Sequence, residues 1–203
     1  MTIWLTADLH LDHWAEWVQK QRHEFHSAGE MNGVLFANIL ETVTPTDTLY
    51  VLGDFAFRPE TFRAYAGFLE AACNVVWVKG NHDPKVMKAP LATDFRHNKR
   101  HYYLCHYPWA SWRPNTVMLH GHCHGNVLQP HPDSRLQMRF DVGVDTEWGG
   151  RRYYPVSIEQ IERRIDGLPH IDAKSTQNEV VTGSISPDSK CDCARGPSDQ
   201  RGE

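Results

Sequence analysis

The sequence contains no apolar run that approaches the roughly 20 residues needed to cross a bilayer. Met1 leads directly into an apolar segment, without the basic leader, long apolar core and small-residue cleavage site of a signal peptide. We therefore expect no membrane association and no export. The expected location is the cytoplasm, as a soluble protein.

Cysteine is sparse and lacks the spacing that forms common sites. The chain has five cysteines, an odd number, and no CxxC pair. This argues against a secreted disulfide framework and against a zinc knuckle. Cys191 and Cys193 lie in a C-terminal stretch, residues 169–203, that is rich in Ser, Asp, Gly and Gln and poor in large apolar side chains. We expect this stretch to be a disordered tail, with the folded domain at residues 1–168.

A net basic charge is also missing, because the formal net charge is −4. Proteins that bind the nucleic-acid backbone need a positive field. Only residues 96–101, Arg-His-Asn-Lys-Arg-His, form a short basic segment. A nucleic-acid partner is therefore an alternative that the sequence does not favour.

Short segments rich in β-branched and aromatic residues predict strands, and the gaps between the first three carry helical patterns. The strands are predicted at residues 2–7, 48–52, 74–78, 101–105 and 116–119, and the helices at 27–42 and 59–72. This alternation predicts an α/β fold with right-handed crossovers. Further along, residues 136–144 and 152–156 flank Gly149 and Gly150 and predict a hairpin or strand pair. Ser157 and Gln160 then predict a capped helix.

Each predicted strand ends directly in side chains that are good metal ligands. These are Asp8 and His10, Asp54, Asn81, His106, and finally His122 and His124. Strand ends converge at one edge of an α/β sheet, so the side chains should meet. Oxygen and imidazole ligands suit manganese, iron, zinc or similar ions. Seven ligands are too many for one tetrahedral ion but suffice for two ions that share a carboxylate. Gly53, Gly80 and Gly121 are expected to turn the chain there with positive φ.

Five motifs across residues 3–156 resemble those of the calcineurin-like metallophosphoesterase superfamily. In chain order they are Asp-x-His, Gly-Asp, Gly-Asn-His-Asp, a lone His and Gly-His-x-His. Residues 30–32, 142–145 and 155–157 resemble its small bacterial and phage phosphoesterases. The resemblance implies two mixed β-sheets packed as a sandwich and flanked by helices, in four layers. Many members have a second Asp shortly after Gly-Asp, whereas residues 55–57 here are Phe, Ala and Phe. The substrate contacts of this loop therefore stay open.

The resemblance also implies a division of labour among these residues. One ion would be held by Asp8, His10, Asp54 and His124, and the other by Asp54, Asn81, His106 and His122. A hydroxide that bridges the ions would attack phosphorus. His82 would stabilise the phosphoryl group or protonate the leaving oxygen, with Asp83 orienting its ring. Manganese is the first expectation for both ions, with iron, zinc, nickel or cobalt as alternatives.

Other side chains are candidates for substrate contact. His13 and Arg58 lie close to the motifs, and the alternative for each is an ordinary surface position. Trp109 and Trp112 could stack on a base or an aryl leaving group, or they could simply pack their own loop. His120 alternates with His122 along the strand, which favours a core position over an eighth ligand.

The predicted function is metal-dependent hydrolysis of phosphate esters, as a phosphodiesterase or phosphatase with a dinuclear centre. The substrate could be nucleotide-like. Two alternatives remain at this point. A nuclease would need a basic groove, and a non-catalytic scaffold on the same fold would be expected to lack ligands, whereas none is missing here.

Overall fold

A computed structural model describes residues 1–110, 112–126 and 138–168. The predicted disordered tail, with Cys191 and Cys193, lies outside these residues. The strands are β1 (Ile3–Thr6), β2 (Thr48–Leu52), β3 (Asn74–Val78), β4 (Ala92–His97), β5 (Arg100–Cys105), β6 (Thr116–His120), β7 (Arg139–Asp141) and β8 (Val156–Ser157). The helices are α1 (Glu16–Gln21), α2 (Ala28–Thr42), α3 (Pro59–Ala72) and α4 (Ile158–Asp166).

The strands form two mixed four-stranded sheets. The first has the order β3-β2-β1-β8, with β1, β2 and β3 parallel and β8 antiparallel to β1. The second has the order β4-β5-β6-β7, with β5, β6 and β7 parallel and β4 antiparallel to β5. The expected α/β architecture is therefore confirmed.

Two buried apolar clusters show how the sheets and helices pack on one another. Leu5 and Leu52 of the first sheet share one buried cluster with Leu104 and Leu119 of the second sheet, so the sheets pack face to face. The other face of the first sheet packs against α2 and α3, through buried side chains such as Leu35. Burial on both faces explains why the strands of this sheet are continuous apolar runs.

The predicted helix ends agree with the structure. The Ser27 side chain accepts a hydrogen bond of 3.1 Å from the backbone N–H of Glu30 at the start of α2. Ser157 and Gln160 form the predicted capping box at the start of α4, with bonds of 2.9 and 3.2 Å. Among the described helices, none combines the length and apolar character that a bilayer crossing requires.

The predicted pairing of residues 136–144 with residues 152–156 is wrong. Within the described residues β7 is short and belongs to the second sheet, whereas β8 pairs with β1 in the first sheet. A tight turn does form at Gly149 and Gly150, where Trp148 and Arg151 pair and the Tyr153 N–H donates a 2.9 Å bond to the Val144 carbonyl oxygen, but these contacts do not extend into a strand ladder among the described residues. The apolar Val156 is buried beside Leu5 instead, and this burial determines where β8 pairs.

Sequence patterns did not predict the short helix α1 or the β4–β5 hairpin. The turn of this hairpin has φ of 45° at Asn98 and 65° at Lys99. Two positive φ values match the right-handed twist of the flanking strands, and such turns usually contain glycine. The turn lacks this signal, and its basic composition indicated a charged surface segment instead.

Candidate metal centre

The loops that follow the parallel strands carry the predicted ligands in an unusual backbone conformation. Five of them have positive φ: Asp8 (60°), His10 (53°), Asp54 (52°), His122 (72°) and His124 (50°). Residues other than glycine rarely adopt this region, and such residues cluster at functional sites. This backbone conformation directs the ligand side chains of the motifs into one volume.

Two groups of possible metal ligands result. Asp8, His10 and His124 form the first group, and Asp54, His106 and His122 form the second. Within each group the donor atoms all lie within 4.8 Å of one another. The structure therefore brings together six of the seven predicted ligands in the two predicted sets.

Asp54 links the two groups. Its Oδ2 lies 3.5 Å from His10 Nε2 in the first group and 3.3 Å from His106 Nε2 in the second. Atoms that bind one ion at about 2.1 Å are themselves about 3–3.5 Å apart. Its other oxygen, Oδ1, accepts a 2.8 Å hydrogen bond from the backbone N–H of His82, which fixes the carboxylate.

Asn81, the seventh predicted ligand, joins the second group. Its Oδ1 lies 2.9 Å from His106 Nε2. His106 Nδ1 lies 3.0 Å from the backbone carbonyl oxygen of Leu52, to which a protonated Nδ1 would donate. With Nδ1 protonated, the lone pair of the ring is on Nε2, which faces Asn81 and Asp54 and can bind a metal ion.

The chemistry of the groups fits divalent cations. His10 Nε2 is buried without a hydrogen-bond partner among the described residues, although a carboxylate oxygen faces it. Burial, followed by the charges of His124 and Arg22, lowers the pKa of His10, so the ring is neutral and offers a lone pair. Burial also raises the pKa of Asp8 to about 7. A cation between these atoms would compensate the buried carboxylates, and the donor set suits manganese, iron or zinc.

A buried ion pair that sequence reasoning missed holds His124. Arg22, which is 1% exposed, donates from Nε and Nη2 to both oxygens of Asp145, at 3.0 and 2.8 Å. Asp145 Oδ2 lies 2.7 Å from His124 Nδ1, so the carboxylate orients the ring for binding through Nε2. The hydrogen bonds to His124 and Arg22 hold the pKa of Asp145 well below its usual range, despite burial.

The same guanidinium also fixes the first motif. Arg22 donates to the backbone carbonyl oxygens of Leu9, at 2.8 Å, and of Asp8. Residues 142–145 contributed to the family resemblance, so the sequence marked Asp145 but did not predict what its side chain does. No periodicity or motif marked Arg22, because its partner is 123 residues away.

Two glycines make room for the Asp8 carboxylate. A Cβ atom on Gly121 would lie 2.8 Å from Asp8 Oδ2, and one on Gly143 would lie 2.6 Å from it. Any larger residue would displace this ligand. Of the three glycines expected to have positive φ, only Gly53 does, at 86°. Gly80 and Gly121 are required for close approach instead, since a side chain at Gly80 would collide with Asp54.

His82 lies at the edge of the groups, and Asp83, the next residue, is buried. The His82 ring is half-buried, with its centroid 5.2 Å from that of His10. The carboxylate of Asp83 accepts backbone N–H bonds of 2.8 Å from Asp54, Phe55 and Gly80. Asp83 therefore fixes the loops after β2 and β3, and its role in orienting the His82 ring stays a prediction.

The two candidates for substrate contact differ. His13 lies in the site, where its Nδ1 is 3.1 Å from His10 Nδ1 and its ring is 5.0 Å from His82. Arg58 is exposed at the residue before α3, and within the described residues its side chain has no hydrogen bond to either ligand group.

The remaining aromatic and histidine candidates lie apart from the ligand groups. Trp109 packs on Tyr103, and Trp112 donates to the carbonyl oxygen of Thr116, contacts that support loop packing. His120 is fully buried in the core position that its alternation indicated.

Comparisons with known proteins agree with this geometry. Residues 1–199 match the family model described as calcineurin-like phosphoesterase. An uncharacterized protein of Methanocaldococcus jannaschii, MJ1445, is 29% identical over 167 residues, which cover 81% of this chain and 91% of the relative.

Solved structures are also similar. A protein of unknown function from Aquifex aeolicus, AQ665, has a TM-score of 0.58 at 21% identity and covers 80% of this chain and 98% of its own. The phosphoesterase Yfce from E. coli has a TM-score of 0.43 at 18% identity, over 74% of this chain and 84% of its own. The family match and the two ligand groups support a metal-dependent phosphoesterase. The chain belongs to the calcineurin-like phosphoesterase family.

Proposed function

We propose that the protein hydrolyses phosphate esters, as a phosphodiesterase or phosphatase, with two divalent ions in one centre. The observation that carries the proposal is the position of Asp54 Oδ2, 3.5 Å from His10 Nε2 and 3.3 Å from His106 Nε2. One carboxylate oxygen that faces both ligand groups is the arrangement expected of a shared ligand. Manganese remains the first choice of metal, because a mixed oxygen and imidazole set accepts it.

The proposed ligands follow the two groups. Asp8, His10, Asp54 and His124 would hold one ion, and Asp54, Asn81, His106 and His122 would hold the other. When bound, such ions supply a water nucleophile at neutral pH and stabilise charge on phosphoryl oxygens. No serine or cysteine nucleophile is then required.

The chain's own residues position the ester and handle the proton. The Asp8 carboxylate is held between Gly121 and Gly143 and accepts N–H bonds from His122, at 2.8 and 3.0 Å. His82 is half-exposed beside His10, so its ring can reach an ester that the ligand groups bind. We propose that it donates a proton to the leaving oxygen.

The alternatives are weaker. In the predicted basic segment, His97 and Asn98 bond with Glu162, and Arg100 pairs with Asp166. The carboxylates of Glu162 and Asp166 offset part of the positive charge that a nuclease would need. A non-catalytic scaffold is not favoured, since all seven ligand side chains are present and close together.

The test combines metal binding with activity. Metal-stripped protein is titrated with Mn²⁺ by calorimetry, and hydrolysis of bis(p-nitrophenyl) phosphate is followed in the same samples. We expect two ions per chain and metal-dependent release of nitrophenol. Asp54→Asn should lose both, whereas the control Asp94→Asn, at a surface carboxylate that is 60% exposed, should lose neither.

Three other results are informative. Retention of two ions by Asp54→Asn and also by Asp54→Ala would show that this residue is not shared, since an amide oxygen alone can still bind an ion. Two bound ions without diester hydrolysis would direct the search to phosphomonoesters. A wild-type protein that binds no metal would contradict the proposal.

A further inference from the structure

Three exposed aromatic side chains surround the two ligand groups. Trp17, Phe57 and Tyr107 are 40%, 47% and 45% exposed, and we call them the aromatic rim. They come from three separate parts of the chain, namely α1, the loop between β2 and α3, and the loop after β5. A single exposed aromatic residue is common, but three around one polar centre form a shaped surface.

Each ring of the rim is fixed against a histidine of the site. Trp17 stands edge-on to His10 at 5.0 Å and to His124 at 5.1 Å between ring centroids. Tyr107 lies 4.5 Å from His122. These contacts hold the two rings at the border of the ligand groups while their outer surfaces face solvent.

Phe57 completes the rim on the side of His82. Its ring stacks on His13 with centroids 4.5 Å apart and an angle of 11° between the planes. His13 in turn lies 5.0 Å from His82. Phe57 lies in the loop after the Gly-Asp motif, for which the sequence did not predict the substrate contacts.

A phosphoryl group has no apolar surface, so the rim cannot contribute to its binding. What planar apolar walls match is a flat aromatic group attached to the phosphate. The buried cation of the site, Arg22, has its donors engaged by Asp145 and two backbone carbonyls and is not available to the substrate. Arg22 therefore adds no substrate contact, and stacking is the interaction that the rim side chains offer.

We infer that the aromatic rim binds a planar aromatic group of the substrate by stacking, and that the protein prefers phosphate esters that carry a nucleobase. The inference rests on the proposed function, because it places the scissile phosphate at the ligand groups. Nucleobases stack well on aromatic side chains whatever their hydrogen-bonding edge. The preference should therefore extend over several bases.

The test compares two molecules that differ only in the base. Adenosine 5′-monophosphate and ribose 5-phosphate share the phosphate and the sugar. Their inhibition constants are measured against metal-dependent hydrolysis of bis(p-nitrophenyl) phosphate, and their affinities for the metal-loaded protein by calorimetry. Loss of one stacking ring changes affinity for a base by roughly 5- to 150-fold. We expect the wild type to bind the nucleotide at least about tenfold more tightly.

Variants separate the rim from general effects. Trp17→Ala, Phe57→Ala and Tyr107→Ala should each reduce the ratio of the two affinities by about fivefold or more, and Trp17→Phe should restore most of it. Trp109→Ala is the matched control, since Trp109 is 47% exposed but packs on Tyr103. This control should leave the ratio unchanged.

The outcomes distinguish the two proposals. Equal affinities for nucleotide and sugar phosphate in an active wild type would overturn the rim and leave the esterase intact. A ratio that no rim variant changes would also overturn it. If no ester is hydrolysed, the proposed function fails, and the calorimetric ratio still decides whether the rim binds a base.

Discussion

Nδ1 of His13 lies 3.1 Å from Nδ1 of His10, so a histidine outside the ligand groups contacts the far side of one within them. If His10 binds metal through Nε2, its Nδ1–H donates to a neutral His13. Such outer partners set the tautomer and orientation of a ligating ring. This relationship gives His13 a positioning role that its place in the sequence did not reveal.

The first prediction concerns this pair. His13→Ala should weaken binding at the first ligand group by roughly 10- to 100-fold, as loss of an outer partner usually does. His13→Asn should recover part of the affinity, because its amide oxygen can replace Nδ1 as acceptor. Competition with a chelator measures both. Unchanged metal affinity with a raised KM would instead make His13 a substrate contact.

A second prediction separates proton transfer from metal binding. His82→Ala should keep both ions and lose roughly 10²- to 10⁴-fold in turnover, the range of general acid catalysis. The loss should be larger for an alkyl ester than for a p-nitrophenyl ester, since nitrophenolate leaves without a proton. An equal loss for both esters would assign His82 to the phosphoryl group rather than to the leaving oxygen.

The buried ion pair predicts a large difference between two arginines. Arg22→Ala leaves Asp145 without its buried partner and should lower the free energy of unfolding by about 3–5 kcal/mol. Arg152 also donates to Asp145, at 3.1 Å, but it is partly exposed, so Arg152→Ala should cost about 1 kcal/mol or less. Urea unfolding measures both. Similar costs would show that Asp145 does not depend on Arg22 in particular.

Acid stability should depend on Asp47, which lies directly before β2 and is not one of the proposed ligands. Hydrogen bonds from the backbone of Thr2, at 2.6 Å, and from Thr44 lower the pKa of this buried carboxyl from 3.8 to about 2. The folded state therefore favours the ionised form. The resulting stability, at most about 2 kcal/mol, is complete above pH 4 and is lost as the pH falls through about 2.

The corresponding measurement is urea unfolding between pH 5 and pH 2, roughly the range that contains the folded and unfolded pKa values of Asp47. Asp47→Asn should flatten the pH dependence, and Asp94→Asn should not. If both variants keep the wild-type slope, the acid sensitivity comes from other carboxyl groups.

The sequence predicted the ligand groups well because their position follows from local rules. A strand that ends in Asp8 or Asp54 can be recognised from a few neighbouring residues, and the sheet then gathers the ends. Arg22 and Asp145 could not be paired in this way, since their contact exists only after both sheets have packed. The pairing of β8 was predicted wrongly for the same reason, because β8 pairs with β1, which is distant in sequence, rather than with the segment that precedes it.

Positive φ at Asp8, His10, Asp54, His122 and His124 affects how mutations of the ligands must be interpreted. Aspartate, histidine and especially asparagine tolerate this conformation better than alanine, which loses about 1 kcal/mol or more there. The measured effect of an alanine substitution at these positions would therefore combine two contributions, the loss of a metal ligand and the conformational cost of alanine at positive φ. Glycine substitutions remove the same ligand atom without this misfit, so the difference in unfolding free energy between the alanine and glycine variants measures how much conformational energy the protein stores in these loops.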